Sequence, residues 1–201
     1  LGVLVFLFAK RKKATYAGQI LLGFGMLFFG LRLMGDELST LGQTEMFASL
    51  ATTMANQPII GMFTGTVMTA VVQSSSAMIG IVQKIYDAGA LSLTAALPLV
   101  FGSNIGTTIT AVIASIGGSI SARRSAAINV IFNVLGTILF MLLLGPYAQF
   151  IEYLAVQYHI SPMMQIAIAT IIRALVISLI TYPFIKSLVK FVKRILPGEE
   201  E

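Results

Sequence analysis

Apolar residues run along this chain in long blocks, and the polar residues that interrupt them fall in a few places. Residues 17–34 are apolar and carry Gly18, Gly23, Gly25 and Gly30, which predicts a membrane-spanning helix packed closely on a neighbour. Residues 35–57 are more polar and predict an outer segment, an interfacial helix and loop. Residues 58–86 are apolar at both ends with Gln73-Ser74-Ser75-Ser76 in the middle. Residues 92–115 are apolar but broken by Gly102-Ser103-Asn104-Ile105-Gly106-Thr107-Thr108. Residues 122–144 read as an ordinary span and close a repeat that covers 17–145. Residues 146–185 predict an outer loop followed by a last span over 163–184. In 186–201, Lys186, Lys190, Lys193 and Arg194 alternate with Leu188, Val189, Phe191 and Val192 before Glu199, Glu200 and Glu201. That pattern predicts a cytoplasmic helix lying on the membrane surface, then an acidic tail. The opening run, 1–9, is too short to cross a bilayer. Its basic cluster follows the apolar residues, the reverse of a signal peptide. Residues 1–16 therefore read as the end of a preceding span and a cytoplasmic basic loop.

Composition turns these blocks into a class. Mean hydropathy is +0.91. Hydrophobic residues are 57% and charged residues 10%, against about 25% charged in soluble domains. The chain is predicted to be an all-α integral membrane protein, multi-pass in the cell membrane. The net charge of +5 is concentrated in Lys10-Arg11-Lys12-Lys13, Arg123-Arg124 and the basic tail, as membrane anchoring requires, and gives no nucleic-acid signal. Cysteine is absent and His159 is the only histidine, so thiolate or histidine metal clusters, disulfides and a cysteine nucleophile are excluded. No activated nucleophile, carboxylate pair or phosphate-cradling P-loop is present, and an enzyme is not expected.

Charge also constrains topology. With Lys10–Lys13 cytoplasmic, 17–34 crosses outward. If 58–86 made one full crossing, Arg123-Arg124 would fall outside, against the positive-inside tendency. If 58–86 dips in and returns to the outer face, 92–115 crosses inward, and Arg123-Arg124 and the basic tail are cytoplasmic. The segment is long enough for two helices of roughly 12–14 residues, each too short to span. The expected architecture is a helical repeat with a re-entrant hairpin, Gln73 to Ser76 at its tip, and a broken transmembrane helix.

A hairpin tip at membrane depth exposes backbone groups that no helix ladder satisfies. The helix starting near Ser74–Ser76 would present N–H groups and a positive dipole end to an anion. Three hydroxyls add donors, and Gln73 adds an amide donor and a carbonyl acceptor. Carbonyls ending the first half-helix suit a hard cation, and discontinuous helices at a midplane site are a recurring transporter device. The second break offers Asn104, Thr107 and Thr108. The plainer reading is that such hydroxyls bond the preceding turn or join helices. Two polar clusters so close together, where an unsatisfied polar group costs several kcal/mol, favour a site. Arg173 interrupts an apolar span, at a cost of roughly 2.5–3.5 kcal/mol; it lines the pathway, meets a carboxylate outside this chain, or has a structural partner. Asn133 is a third site element or interhelical glue. Arg32 reads as a snorkelling residue and His159 as an exposed loop residue.

Thr69-Ala-Val-Val-Gln73-Ser-Ser-Ser-Ala77, Gly102-Ser-Asn-Ile-Gly-Thr-Thr-Ile-Thr-Ala111, Arg123-Arg124 and Phe132-Asn133, in this order and spacing, resemble the type II sodium–phosphate cotransporter family, from about Gly23 to Pro197. The resemblance implies Na⁺-coupled transport of inorganic phosphate, with Na⁺ as coupling ion and no other cofactor. Position by position, it implies phosphate binding by Gln73, Ser74, Ser75 and Ser76, and sodium coordination by Gln73, Ser76, Asn104, Thr107 and Thr108. Ser103, Thr110, Asn133 and Arg173 are further candidates. Members of that family have two inverted repeats with one such hairpin each; this chain carries one and looks like the second. The other half-site would come from a first repeat outside this chain or from a second copy, as in a homodimer. A PhoU-like cytoplasmic domain would begin near Pro197-Gly198-Glu199, and membrane lipid is the surrounding partner. Near the repeat's end the family often has a His and then an aromatic-Asn pair, where this chain has Thr170, Arg173 and Ala174. Transport of another small anion, and a non-transporting phosphate sensor or scaffold, are the alternatives.

Overall fold

The computed structural model describes residues 2–8, 11–42 and 44–198, and only the backbone of 31, 34–42 and 47. Lys10 of the first basic cluster and the acidic tail 199–201 lie outside the described residues. The chain is a succession of helices: α1 (Gly2–Phe8), α2 (Lys12–Gly42), α3 (Glu45–Asn56), α4 (Pro58–Val72), α5 (Ser75–Asp87), α6 (Leu93–Gly106), α7 (Thr108–Ser115), α8 (Ile120–Leu142), α9 (Leu144–Tyr158), α10 (Pro162–Thr181), a 3₁₀ turn (Tyr182–Phe184) and α11 (Ile185–Ile195). No strand occurs among the described residues. Leu93–Ser115, Ile120–Leu142 and Pro162–Ile195 are long and apolar enough to cross a membrane. Their outer surfaces stay apolar, with Leu135, Leu142, Ile171 and Leu179 exposed, as lipid contact requires and water does not favour.

Two boundaries differ from the pattern in the sequence. α2 passes residue 35 without interruption, so that its helix is roughly 46 Å long. Polarity alone does not stop a helix, and no proline lies between residues 12 and 57 to break it. α9 occupies the region read as an outer loop. Its Gly145-Pro146 pair falls in the first turn of the helix, where a proline costs no hydrogen bond. His159 caps α9 in the left-handed region, at φ 52, and is exposed.

The core is built around α6, whose Ala95, Ala96, Leu97 and Phe101 are wholly buried. α4 lies against it through glycines. A Cβ on Gly65 would stand 2.1 Å from the Leu99 carbonyl oxygen, one on Gly102 1.9 Å from that of Met62, and one on Gly106 2.4 Å from that of Thr66. The Thr66 hydroxyl bonds the Gly102 carbonyl oxygen at 3.1 Å. Contacts advance in step on both helices, from Gly61 with Ala95 to Gly106 with Ala70, so α4 and α6 run parallel. Parallel neighbours require a return between them. The chain at Ala95 is back beside Gly61, and α5 is the returning arm of a helical hairpin. Gln83 Nε2 donates to the Met163 carbonyl at 3.0 Å and the Tyr86 hydroxyl to Gln165 Oε1 at 2.7 Å, tying that arm to α10.

Gly65→Ala should therefore force α4 off α6 and destabilise the fold by about 1–3 kcal/mol. Gly23→Ala, with nothing within 4 Å of the added methyl, should be neutral or slightly stabilising. Thermal unfolding of both variants in detergent checks the contrast, and equal melting temperatures would refute close α4–α6 contact.

Candidate functional site

The hairpin turns on two residues. Gln73 adopts φ 58 and ψ 23, and its N–H closes α4 on the Thr69 carbonyl. Ser74 is extended and caps α5, its Oγ accepting from the Ala77 N–H at 3.2 Å. The cap satisfies the third N–H of α5 and leaves those of Ser75 and Ser76, which by helix geometry have no intrahelical partner. Gln73 and Ser76 are exposed, and Ser74 and Ser75 half-buried. A left-handed conformation costs a non-glycine residue about 1–2 kcal/mol, so glutamine at this corner is a local departure from the cheapest choice.

The second cluster is more regular than its sequence implies. Helix α6 runs through Gly102 to Gly106, and the interruption narrows to Thr107, beyond which α7 begins. Its side chains fold back on their own backbone. Ser103 Oγ and Asn104 Nδ2 both donate to the Val100 carbonyl, at 2.8 and 2.7 Å. Thr107 Oγ1 donates to Ser103, Thr108 Oγ1 to Ile105 and Thr110 Oγ1 to Thr107, at 2.8, 2.7 and 2.9 Å. A hydroxyl that donates this way keeps oxygen lone pairs free for a cation. Close approach of Gly106 to Thr66, Thr69 and Ala70 brings the last turn of α4, and so the Gln73 corner, to the α6–α7 joint. Thr69 was not singled out as a site residue. It is fully buried one turn before Gln73, and its hydroxyl has no partner.

Asn133 and Arg173 stand apart from the tip. Asn133 Nδ2 donates to Asn129 of its own helix, to the carbonyl at 3.0 Å and to Oδ1 at 2.8 Å. Arg173 is 4% exposed. Its Nη2 donates to Thr137 Oγ1 at 3.0 Å, and Thr137 donates onward to the Phe101 carbonyl at 3.1 Å. The guanidinium carbon lies 5.6 Å from the centre of the Phe101 ring, and Nε has no partner. Arg173 thus grips α6 just below Gly102. Thr137, wholly buried, is the link that periodicity could not reveal, since a threonine in an apolar helix carries no distinguishing signal. No group of three or more His, Cys, Asp or Glu side chains placed to hold a metal occurs among the described residues.

The family described as Na⁺/Pi-cotransporter matches residues 29–159, a stretch that contains the hairpin and the α6–α7 joint and stops before Arg173. The chain is 30% identical over 199 residues to YqeW of Bacillus subtilis, covering 99% of this chain and 64% of that protein. It is 24% identical over 202 residues to YjbB of Salmonella typhimurium, whose name provisionally denotes an inorganic phosphate export protein, covering 100% of this chain and 36% of that one. A shorter match, 34% over 98 residues, joins 46% of this chain to 14% of the human sodium-dependent phosphate transport protein 2B. The chain therefore spans less than two thirds of the length of these relatives. No solved structure gives a match.

Replacing Thr137 by valine keeps its shape but cuts the bonds to Arg173 and Phe101. A hydrogen bond to a charged group contributes about 1.5–3 kcal/mol, so Thr137→Val should lower stability by that order while Thr137→Ser retains it. Equal melting of the two variants in detergent would show that the hydroxyl does not join Arg173 to α6.

Proposed function

The chain belongs to the Na⁺/Pi-cotransporter family, and from that premise we propose that it forms one half of a secondary-transport site that moves inorganic phosphate with Na⁺ across the cell membrane, without enzymatic chemistry. The observation that carries this reading is the α4–α5 corner, a strained glutamine followed by three serines at the start of a helix, held against the α6–α7 joint. The N–H groups of Ser75 and Ser76, their hydroxyls and the Gln73 amide are donors to phosphate oxygens. Ser74 holds the corner's shape through its cap and keeps its O–H proton to donate. Gln73 Oε1, Ser76, Asn104, Thr107 and Thr108 offer neutral oxygens to Na⁺, with Ser103 and Thr110 in support. Thr69 adds an oxygen with no competing partner. Neutral donors bind an anion without trapping it, as turnover requires.

The α4–α5 hairpin enters and leaves the membrane on one face in this reading. α4 has 15 residues, a rise of roughly 22 Å, short of the ~30 Å hydrocarbon core. Arg11, Lys12 and Lys13, Arg123-Arg124 and the basic α11 lie on the opposite, cytoplasmic face. A second hairpin, from another repeat or from a second copy of the chain, completes the site, and a cytoplasmic domain follows α11. Arg173 biases the interior toward anions from behind Phe101, as a fixed charge and not as a ligand.

Radiolabelled phosphate uptake into proteoliposomes carrying the full-length protein, with and without an imposed Na⁺ gradient, tests this. Gln73→Gly is the sharpest variant, because glycine adopts the left-handed corner without strain. It should keep or raise the melting temperature while cutting Na⁺-driven uptake at least ~10-fold, the effect of losing about 1.4 kcal/mol of binding. Undiminished uptake in a stable Gln73→Gly protein would remove the corner from the site. Absence of Na⁺-dependent flux in the parent would reject the coupling itself.

A further inference from the structure

Most hydroxyls in the long apolar helices return their protons to their own backbone. Ser103, Thr107, Thr108, Thr110, Ser115 and Thr170 each donate to a carbonyl three or four residues back. One groove breaks this habit. It lies between α8, α10 and α11, has a volume of about 360 Å³, and is lined by Ser125 and Asn129 of α8 and by Ser178 and Thr181 of α10, beside Phe132 and Ile185. The hydroxyls of Ser125, Ser178 and Thr181 have no hydrogen bond to any group among the described residues. Asn129 accepts from Asn133 through Oδ1 at 2.8 Å, and its NH₂ finds no acceptor there. Ser125, Asn129 and Ser178 are exposed. In hydrocarbon each such donor would cost several kcal/mol, and a bond to the preceding turn would have relieved the hydroxyls. Polar side chains left open at membrane depth line water. The groove has room for on the order of ten waters at ~30 Å³ each.

The groove is also placed to reach inward. After the turn at 116–119, α8 returns alongside α7, and its Thr137 meets Phe101 of α6. Asn133 lies one turn, about 6 Å, nearer the start of α8, which brings it to the depth of Ile105 and Gly106. Asn129 and Ser125 follow at the same spacing on the same face, as far as Arg123 and Arg124. Polar groups thus step from the depth of the α6–α7 joint to the basic end of the bundle. They favour one sign of solute. With Oδ1 engaged by Asn133, Asn129 offers its NH₂, and the three hydroxyls are free to turn their O–H outward. No Asp or Glu occurs in α8, α10 or α11.

We propose that this groove is a water-filled inlet that admits a small anion, inorganic phosphate, from the α11 face of the bundle to the depth of the α6–α7 joint. The inlet rests on the transport function proposed above, which makes that face cytoplasmic and gives the anion a destination. Its apolar walls, Phe132 and Ile185, offer no ligand, so the anion passes hydrated and is not held.

Cysteine is absent from the sequence, so an introduced thiol reports alone. Asn129→Cys and Ser178→Cys are made in the full-length protein, with any cysteine outside residues 1–201 replaced. Leu179→Cys is the matched control: it neighbours Ser178 at nearly the same depth, is 73% exposed and does not line the groove. Inverted membrane vesicles, which turn the α11 face outward, are treated with a negatively charged, membrane-impermeant methanethiosulfonate. A thiol reacts as its thiolate, which apolar surroundings suppress, so both groove thiols should label at least ~10-fold faster than Leu179→Cys. Labelled Ser178→Cys should lose Na⁺-driven phosphate flux that the unlabelled variant retains. Equal labelling of all three thiols would reduce the groove to lipid contact and overturn the proposal. Labelling of the groove thiols only from the opposite face would overturn it too. Rapid labelling that leaves flux intact would show a wet groove that is not the route, again overturning it. Rapid labelling in a parent without Na⁺-driven flux would reject the transport reading alone and leave the anion-admitting inlet standing.

Discussion

The contact of α4 with α6 governs this fold. Three glycines, Gly65, Gly102 and Gly106, let two backbones meet where any side chain would collide with a carbonyl oxygen. In lipid no hydrophobic force drives helices together, so such close approach and the dispersion it gains carry much of the association. Because α4 and α6 are parallel, the same contact dictates that α5 runs back, that the reversal falls at Gln73 and Ser74, and that the reversal ends beside the α6–α7 joint. A shift of α4 along α6 by one turn would move the tip away from Thr107 and its neighbours. The position of the proposed site follows from helix packing before any ligand is considered.

Among the described residues the exceptions to well-satisfied helical geometry are few and, apart from His159 at the end of α9, lie on or against α4 and α6. Ser103, Asn104, Thr107, Thr108 and Thr110 all return their protons to backbone carbonyls, as polar residues in an apolar medium must. Gln73 accepts a left-handed backbone, while Thr69 Oγ1 and Arg173 Nε lie buried without partners. Natural sequences tolerate such local violations where function is served. Thr69 lies one turn from Gln73 on the helix that forms the tip, which links two of these exceptions to one place.

The polar clusters were legible in the sequence because an amide and three hydroxyls in an apolar run are costly without a purpose, and the length of the apolar blocks said the rest was helical. What the sequence could not convey were features with no compositional contrast. Residues 35–42 are polar yet continue α2, since polarity does not end a helix. Gly145-Pro146 resembles a turn but opens α9. The 102–108 segment looked like a broad break because glycines and hydroxyls favour loops, whereas burial against α4 and α8 keeps it helical as far as Gly106. Thr66, Thr69 and Thr137 escaped notice because threonine is ordinary in a membrane helix. Their importance arises from partners 36 residues away in sequence for Thr66 and Thr137, and from the lack of a partner for Thr69.

Arg173 shows why the tip itself carries no cation in the proposed reading. A guanidinium in direct contact with phosphate would form a charge-assisted, bidentate pair, strong enough to hold the ion through the cycle. Arg173 is instead enclosed by the Phe101 ring and Thr137, five residues along α6 from Gly106. At that separation its field favours an anion over a cation by a modest amount, because the interaction falls with distance and with the polarisable groups between. The same field opposes Na⁺ unless phosphate is present to offset it. A fixed positive charge held at a distance, acting with neutral ligands at the corner, would thus make occupation by the two ions interdependent without any titrating group at the site.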